Sequence, residues 1–449
     1  MLSIQFLNNM KHLLLLVLCV AATPLFAQKK YLKSGPMLGY VEMREALLWA
    51  QTTQDAEVSF EFWPADQPAR VRQTDKVRTR KEAAFTAKCV ADELEPGVTY
   101  QYRLLINGKK IALDYPATFT AQRLWQFRTD PPTFTVLAGS CNYVNETEYD
   151  RPGKPYGSDH SIFSAMYNQK ADAMIWLGDN AYLREVDWAT NSGILHRYTH
   201  TRALPELQPF WASTAHYATW DDHDFGPNDS DGTWIHKDKS LRAFELFWGN
   251  PTFGIEGSRG VTTAFKYNDV DFFLLDNRYH RTPDYCKTCP ERTQLGATQL
   301  KWLLESLSAS TAPFKIVAIG GQVLTTNGNH ETYIHYNAAE RDTILAHIER
   351  ENIKNVIFLT GDRHFTELST YTNAKGNAVY DLTTSSMTAG IYKDGAKELN
   401  AYRVEGTLVT EHNFANLQFS GPRTERVLTM KIMDKEGKEL WSQTIKSQK

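Results

Sequence analysis

Asp362 and His364 stand one residue apart in NVIFLTGDRHF, residues 355–365, just past the apolar run 356–359. A carboxylate and an imidazole so placed can hold a metal ion or move a proton. Three more stretches have the same grammar. Residues 173–177 are apolar and run into Gly178-Asp179-Asn180-Ala181-Tyr182; residues 134–137 run into Ala138-Gly139-Ser140-Cys141-Asn142; residues 217–220 run into Asp221-Asp222-His223-Asp224. Each apolar run reads as a buried strand, and each releases Asp, His, Tyr or Cys where it ends. In α/β sheets ligands gather beyond the carboxyl ends of the strands. Four such strands in shared sheets would bring these groups into one polar cluster, which is the picture of a metal site.

The elements that must position them follow from length and pattern. A chain of 449 residues can build two domains, each with its own core. With 42% hydrophobic and 22% charged residues, 21 Tyr and 11 Trp, it reads as globular rather than disordered. A net charge of -3 with scattered Lys and Arg argues against a protein that grips nucleic acid by electrostatics; nucleic acid enters only as a possible substrate. Lys11, the apolar stretch 13–20 and a small residue at Ala27 lay out a signal peptide over residues 1–27. The residue before Cys19 is Leu18, not the small residue of a lipid-anchor site, and no later stretch suits a transmembrane anchor. The expected location is secreted or periplasmic. In an oxidising compartment Cys286 and Cys289 read either as a disulfide closing a small loop or as a loose thiol pair, whereas Cys89 reads as core.

Residues 34–128 predict an all-β sandwich of fibronectin or immunoglobulin type. Strands are expected over 46–51, 57–63, 85–90, 99–106 and 117–127, separated by turns such as Glu95-Pro96-Gly97 and Asn107-Gly108. The expected role is packing beside a second domain. Pro131 and Pro132 stop either sheet from running through the junction. Over 133–449 the pattern alternates, with helices near 160–169, 240–248, 297–307 and 338–351, strands at 262–267, 270–276, 314–319 and 356–359, and a terminal set of strands over 378–445. Alternation first and hairpins last predicts two mixed sheets packed face to face with helices outside.

In order, GSCN (139–142), GDNAY (178–182), WDDHD (220–224) and GDRH (361–364) resemble the motifs of the alkaline phosphatase D (PhoD) family of metallophosphoesterases. The stretch TQLGATQLKWLLESL, residues 293–307, is similar to that family too, and the likeness covers nearly all of the mature chain. It implies a fibronectin-like domain before an α/β metallophosphoesterase core. It further implies an iron site of Cys141, Asp179, Tyr182 and His364, since thiolate, phenolate and imidazole suit ferric iron and not calcium. The second site would share Asp179 and take Asp222 and Asp362, with Gln322 or a backbone carbonyl nearby. This all-oxygen set suits calcium, with zinc or magnesium fitting less well.

The resemblance implies a two-metal phosphoesterase acting on phosphate diesters and monoesters. His223 is the expected general acid for the leaving alcohol, or a donor to a non-bridging phosphate oxygen, and Asn142 and Asn228 are the expected substrate contacts. Gly226-Pro227-Asn228-Asp229 reads equally well as a turn. Gly328-Asn329-His330-Glu331 spells another metallophosphatase motif but lies out of order, so it is expected to be a loop, with His330 a candidate substrate contact. Two rival readings stand: a phospholipase D-like lipid phosphodiesterase on the same fold, and a catalytically silent surface-binding protein. An ending in strands rather than a covering helix predicts an open site that admits larger diesters.

Overall fold

The computed structural model describes residues 30–448 except 287, 290 and 291; the expected signal peptide, residues 1–27, lies outside the described residues. The first part is all-β. Leu32–Val41, Ala46–Thr52 and Thr86–Ala91 form one antiparallel sheet. Glu57–Pro64 and Thr99–Ile106 form the centre of a second, flanked by short strands. Their inner faces bury Leu48, Phe60, Tyr100, Tyr102 and Leu104 in one core. One strand lies outside the expected set and one expectation needs correction. Leu32–Val41 is a strand whose register with its neighbour shifts where Gly35, Pro36 and Gly39 fall. The strand expected over 117–127 shortens to Thr118–Thr120, since residues 123–128 turn back on themselves and leave Phe127 in solvent.

The module packs on the larger part through specific bonds. Trp49 Nε1 donates to the Leu246 carbonyl at 2.8 Å, and Tyr102 Oη donates to that of Ala212 at 2.7 Å. Burying these ring N–H and O–H groups is tolerable only because each has an acceptor.

The larger part holds two six-stranded mixed sheets. In one, Ala215–Thr219, Ala173–Leu177 and Phe134–Gly139 run parallel, and Asn413–Ser420, Val427–Asp434 and Glu439–Lys446 continue it antiparallel. In the other, Val270–Leu274, Lys315–Ile319, Val356–Thr360 and Ala378–Thr383 run parallel between the antiparallel edges Thr263–Tyr267 and Glu367–Thr372. Val136, Ile175, Phe272, Ile316 and Ile357 fill the space between them. The central strands are buried on both faces, which is why they read as continuous apolar runs. Helices cover the outer faces: Ser161–Asn168, Asn191–Arg202 and Lys237–Phe247 lie on the first sheet, Ala297–Ala309 and Tyr333–Arg350 on the second. Ala297–Ala309 does so through Gln299, Leu303 and Leu307, one turn apart.

Asn191–Arg202 was not legible because its inward face mixes apolar Ile194, Leu195 and Tyr198 with buried Arg197 and Arg202. Arg197 pairs with Asp187 at 2.8 Å and Glu146 at 2.8 Å, so ion pairs share that face with the core contacts.

Candidate metal centre

The carboxyl ends of the parallel strands meet at one end of the two sheets, and glycine is what lets them meet. A Cβ on Gly361 would lie 2.6 Å from Ser140 Cβ in the other sheet. At Gly178, φ is +98° and a Cβ would lie 2.7 Å from Asp221 Cβ, so a side chain there is opposed by both conformation and space. Cys141, Asp179, Asp362 and His364 all take positive φ, between 51° and 68°. Residues other than glycine seldom do so, and such strain gathers at functional sites.

These sharp turns bring four side chains from both sheets together. Tyr182 Oη donates to Asp179 Oδ2 at 3.0 Å and lies 3.2 Å from His364 Nε2. Cys141 Sγ is 3.7 Å from Asp179 Oδ2. Ser385 supports this half by donating its hydroxyl to Cys141 Sγ at 3.0 Å and accepting from the His364 backbone N–H at 2.9 Å.

The second half is carboxylate. Asp179, Asp222 and His223 offer ligand atoms within 4.8 Å of one another, as do Cys141, Asp179 and His364, and so do Asp222, Asp229 and Glu331. Asp179 and Asp222 thus each belong to two groups. The three Asp residues of the WDDHD motif divide. Asp222 faces the site, Asp221 turns to Arg278, and Asp224 accepts the Asn180 and Ala181 backbone N–H groups at 3.1 and 3.0 Å.

Charge is poorly compensated here. Burial pushes the Asp179 carboxyl well up, with Asp222 and Cys141 adding to it. Burial also drives Asp362 up to about 8, with Asp221 and Glu331 adding, and Cys141 to about 12, with Asp362 adding. Burial holds the His223 and His364 rings below the usual histidine range, with Asp222 and Asp362 respectively acting against it. Asp222 Oδ1 and Asp221 Oδ2 are buried without a hydrogen-bond partner among the described residues. A buried charge is costly unless paired or bound to a metal. The donor chemistry therefore fits metal ions: thiol, phenol and imidazole on one side, carboxylates on the other.

Other expected residues fall in different places. Asp362 is partly buried and lines the same cavity of about 420 Å³ as Asp179 and Asp222, but belongs to none of the three close groups. Asn228 lines that cavity and a second one beside it. Asn142 does not: its amide is buried, donating to the Asn180 carbonyl at 3.1 Å and accepting from Thr388 Oγ1 at 3.3 Å, so it braces the turn behind the site. Gln322 also stays outside. Its side-chain amide donates to Glu367 at 2.7 Å and Thr383 at 3.1 Å, and its backbone carbonyl accepts from the Tyr333 backbone N–H.

Residues 328–331 form a loop, as expected, and His330 lines the cavity wall. What sequence reasoning missed is Glu331, with Arg278. Glu331, only 11% exposed at its side chain, accepts two hydrogen bonds from Arg278 at 2.9 and 2.8 Å and pairs with Arg281 at 2.7 Å. Arg278 also bonds Asp221 and lies 3.8 Å from Asp222. Burial opposes the Arg278 charge, but Asp221, Glu331 and Asp222 outweigh it and raise its pKa. The available signal was an Arg just past the strand Val270–Leu274, at the same sheet end as the other donors. Beyond the site's edge, Cys286 and Cys289 are disulfide-bonded, next to the exposed Tyr285, which lines the same cavity.

Two mixed sheets with donor side chains at their shared strand ends define a protein of the metallophosphoesterase class. The family model for PhoD-like phosphatases matches residues 140–430, and the chain belongs to that family. A second model, a domain of unknown function (DUF7800), matches residues 29–124. Among curated proteins, alkaline phosphatase D of Bacillus subtilis (strain 168) is 23% identical over 330 residues, or 63% of this chain. The match takes in 53% of that protein, so the chain spans about half the length of this relative. Among solved structures, PhoD superposes with a TM-score of 0.75 at 17% identity, covering 93% of this chain and 91% of that one. Purple acid phosphatase PPD1 from yellow lupin (Lupinus luteus) seeds gives 0.65 at 13% identity, covering 92% and 74%. At these identities the structures establish a shared fold.

Proposed function

We propose that this protein is an exported, metal-dependent phosphoesterase that hydrolyses phosphate diesters and monoesters at two adjacent metal sites. The observation that carries the reading is the convergence of Cys141, Asp179, Tyr182 and His364 with Asp222 and His223 at one sheet end. Membership of the PhoD-like phosphatase family supports the reaction class. Cys141, Tyr182 and His364 would hold ferric iron, Asp222 and Asp362 calcium, and Asp179 would lie between the two. When bound, such ions lower the pKa of water and neutralise phosphate charge.

The chain's own residues supply the rest. His223 stacks on Tyr182 with ring centroids 4.2 Å apart and lines the cavity, so it can give its proton to the departing ester oxygen. Water oxygen bonds to phosphorus as the bond to that oxygen breaks, and the products are an alcohol and a phosphate with one ester fewer. Asn228, at the cavity wall, can donate its amide N–H to a phosphate oxygen. Among the described residues no helix is long and apolar enough to cross a membrane.

The test is elemental analysis of protein exported by its own leader and never exposed to chelator, followed by turnover of p-nitrophenyl phosphate and bis(p-nitrophenyl) phosphate. About one iron with one or two calcium per chain and hydrolysis of both esters is the expected result. Zinc throughout, or no bound metal and no turnover, overturns the assignment.

A further inference from the structure

The acid cavity opens into a second lobe of a different character. This neighbouring cavity of about 620 Å³ shares Tyr156, His223 and Asn228 with the first, so the two form one bent cleft with those residues at the elbow. Its size is that of a site for a drug-sized group. Its walls include Tyr143, Tyr156 and Trp188, with Arg151 and Lys154 at the rim.

The carboxylates of this lobe are already neutralised. Asp150 pairs with Arg184 at 2.8 Å and Glu185 with Arg151 at 3.0 Å. Arg184 is buried and fully engaged, stacking 3.8 Å from the centre of the Tyr143 ring. Lys154 is exposed and forms no ion pair among the described residues. Tyr156 is 47% exposed and presents ring surface to the cleft, while its hydroxyl reaches 3.2 Å from His364 Nδ1. The first lobe thus gathers most of the carboxylates and His364, and the second gathers Tyr143, Tyr156, Tyr182 and Trp188 with a spare cation.

From this division we infer that the second lobe seats a nucleoside arm of a phosphate diester, the inference resting on the phosphoesterase reading above. A base has two flat faces for aromatic stacking, and a further phosphate on the same arm meets Lys154. An acyl chain would find the charged groups of Asp150, Arg151, Lys154 and Glu185 where it needs hydrocarbon. A bare polyol would leave the rings unused.

The test compares metal-loaded enzyme on two diesters without aryl groups, thymidylyl-3′,5′-thymidine and bis(glyceryl) phosphate, by 31P NMR, with p-nitrophenyl phosphate as the monoester control. The dinucleotide should show kcat/KM about 5- to 160-fold higher, the range that stacking one base supplies. Trp188→Leu and Tyr156→Leu should each shrink that ratio, chiefly through KM. A 5′-phosphate on the dinucleotide should raise kcat/KM in a way that Lys154→Ala abolishes. Equal kcat/KM for the two diesters, a preference for the glyceryl ester, or monoester turnover with neither diester cleaved overturns the nucleoside assignment and leaves the phosphoesterase reading standing. Failure to cleave any of the three esters overturns that reading itself.

Discussion

The two halves of the metal centre are built on opposite principles. The half made by Cys141, Tyr182 and His364 uses neutral or weakly acidic donors, each set by a turn at the end of its own strand and braced by Ser385. The half made by Asp222, Asp229 and Glu331 concentrates carboxylates, and an arginine buried among them, Arg278, offsets much of their charge. Asp179 stands between the two. One half thus presents thiol, phenol and imidazole donors with no ion-pair partner of their own among the described residues, whereas the other carries part of its countercharge within the fold. The difference also separates what local sequence can specify from what only long-range contacts supply.

The largest effect should come from removing what the halves share. Asp179→Asn is expected to lower turnover to background and to deplete both metals, read by elemental analysis. Cys141→Ala should deplete iron first, and an active Cys141→Ala protein with its iron intact would break the division.

His223→Ala should cost about 10² to 10⁴ in rate with metal content unchanged. Equal loss of metal and rate would instead make His223 a ligand, which its place beside Asp179 and Asp222 permits geometrically.

Arg278→Met leaves Asp221 buried without its charged partner and Glu331 with Arg281 alone. A loss of about 3–5 kcal/mol in denaturant unfolding is expected, as for breaking a buried pair. If Arg278 supplies countercharge to the carboxylate half, added calcium should recover part of that loss, while iron should not.

The acidity of the site gives a subtler test. Burial raises Asp362 and Asp224 each to about 8, against about 4 in an unfolded chain. Between those values the native state holds more protons than the unfolded state, so stability falls as pH rises through that window. Metal-stripped protein should therefore unfold at lower denaturant at pH 8 than at pH 5. Metal-loaded protein should show a smaller drop, because bound cations favour the carboxylates in their charged form. The smallest effect is expected at the rim: Arg151→Ala breaks an exposed pair with Glu185 and should change stability by less than about 1 kcal/mol.

Much of the first half was legible in the chain. Val356–Thr360 and Ala173–Leu177 are uniformly apolar because both sheet faces are covered, and Gly361 and Gly178 mark the turns that follow. Cys141, Asp179, Tyr182 and His364 could be picked out because each lies within a few residues of such an end. The same local logic placed the β-sandwich first and the two-sheet core after it, and it failed where the pattern was not hydrophobic. Asn191–Arg202 turns arginines inward, and Leu32–Val41 crosses Gly35 and Pro36, so neither has the expected periodicity.

By itself, then, the sequence determined the strand ends and the residue types released there, because backbone turn chemistry and burial act over a few neighbours. Only the tertiary structure decided which of those residues meet. It turned Asp221 away to Arg278, sealed Asn142 and Gln322 behind the site, and brought Glu331 in from a loop more than a hundred residues from Asp222. It also joined the acid cavity to an aromatic one. The physical reason is that ion pairs and cavities are properties of distances in space, and segments remote in the chain record no trace of one another until the two sheets pack.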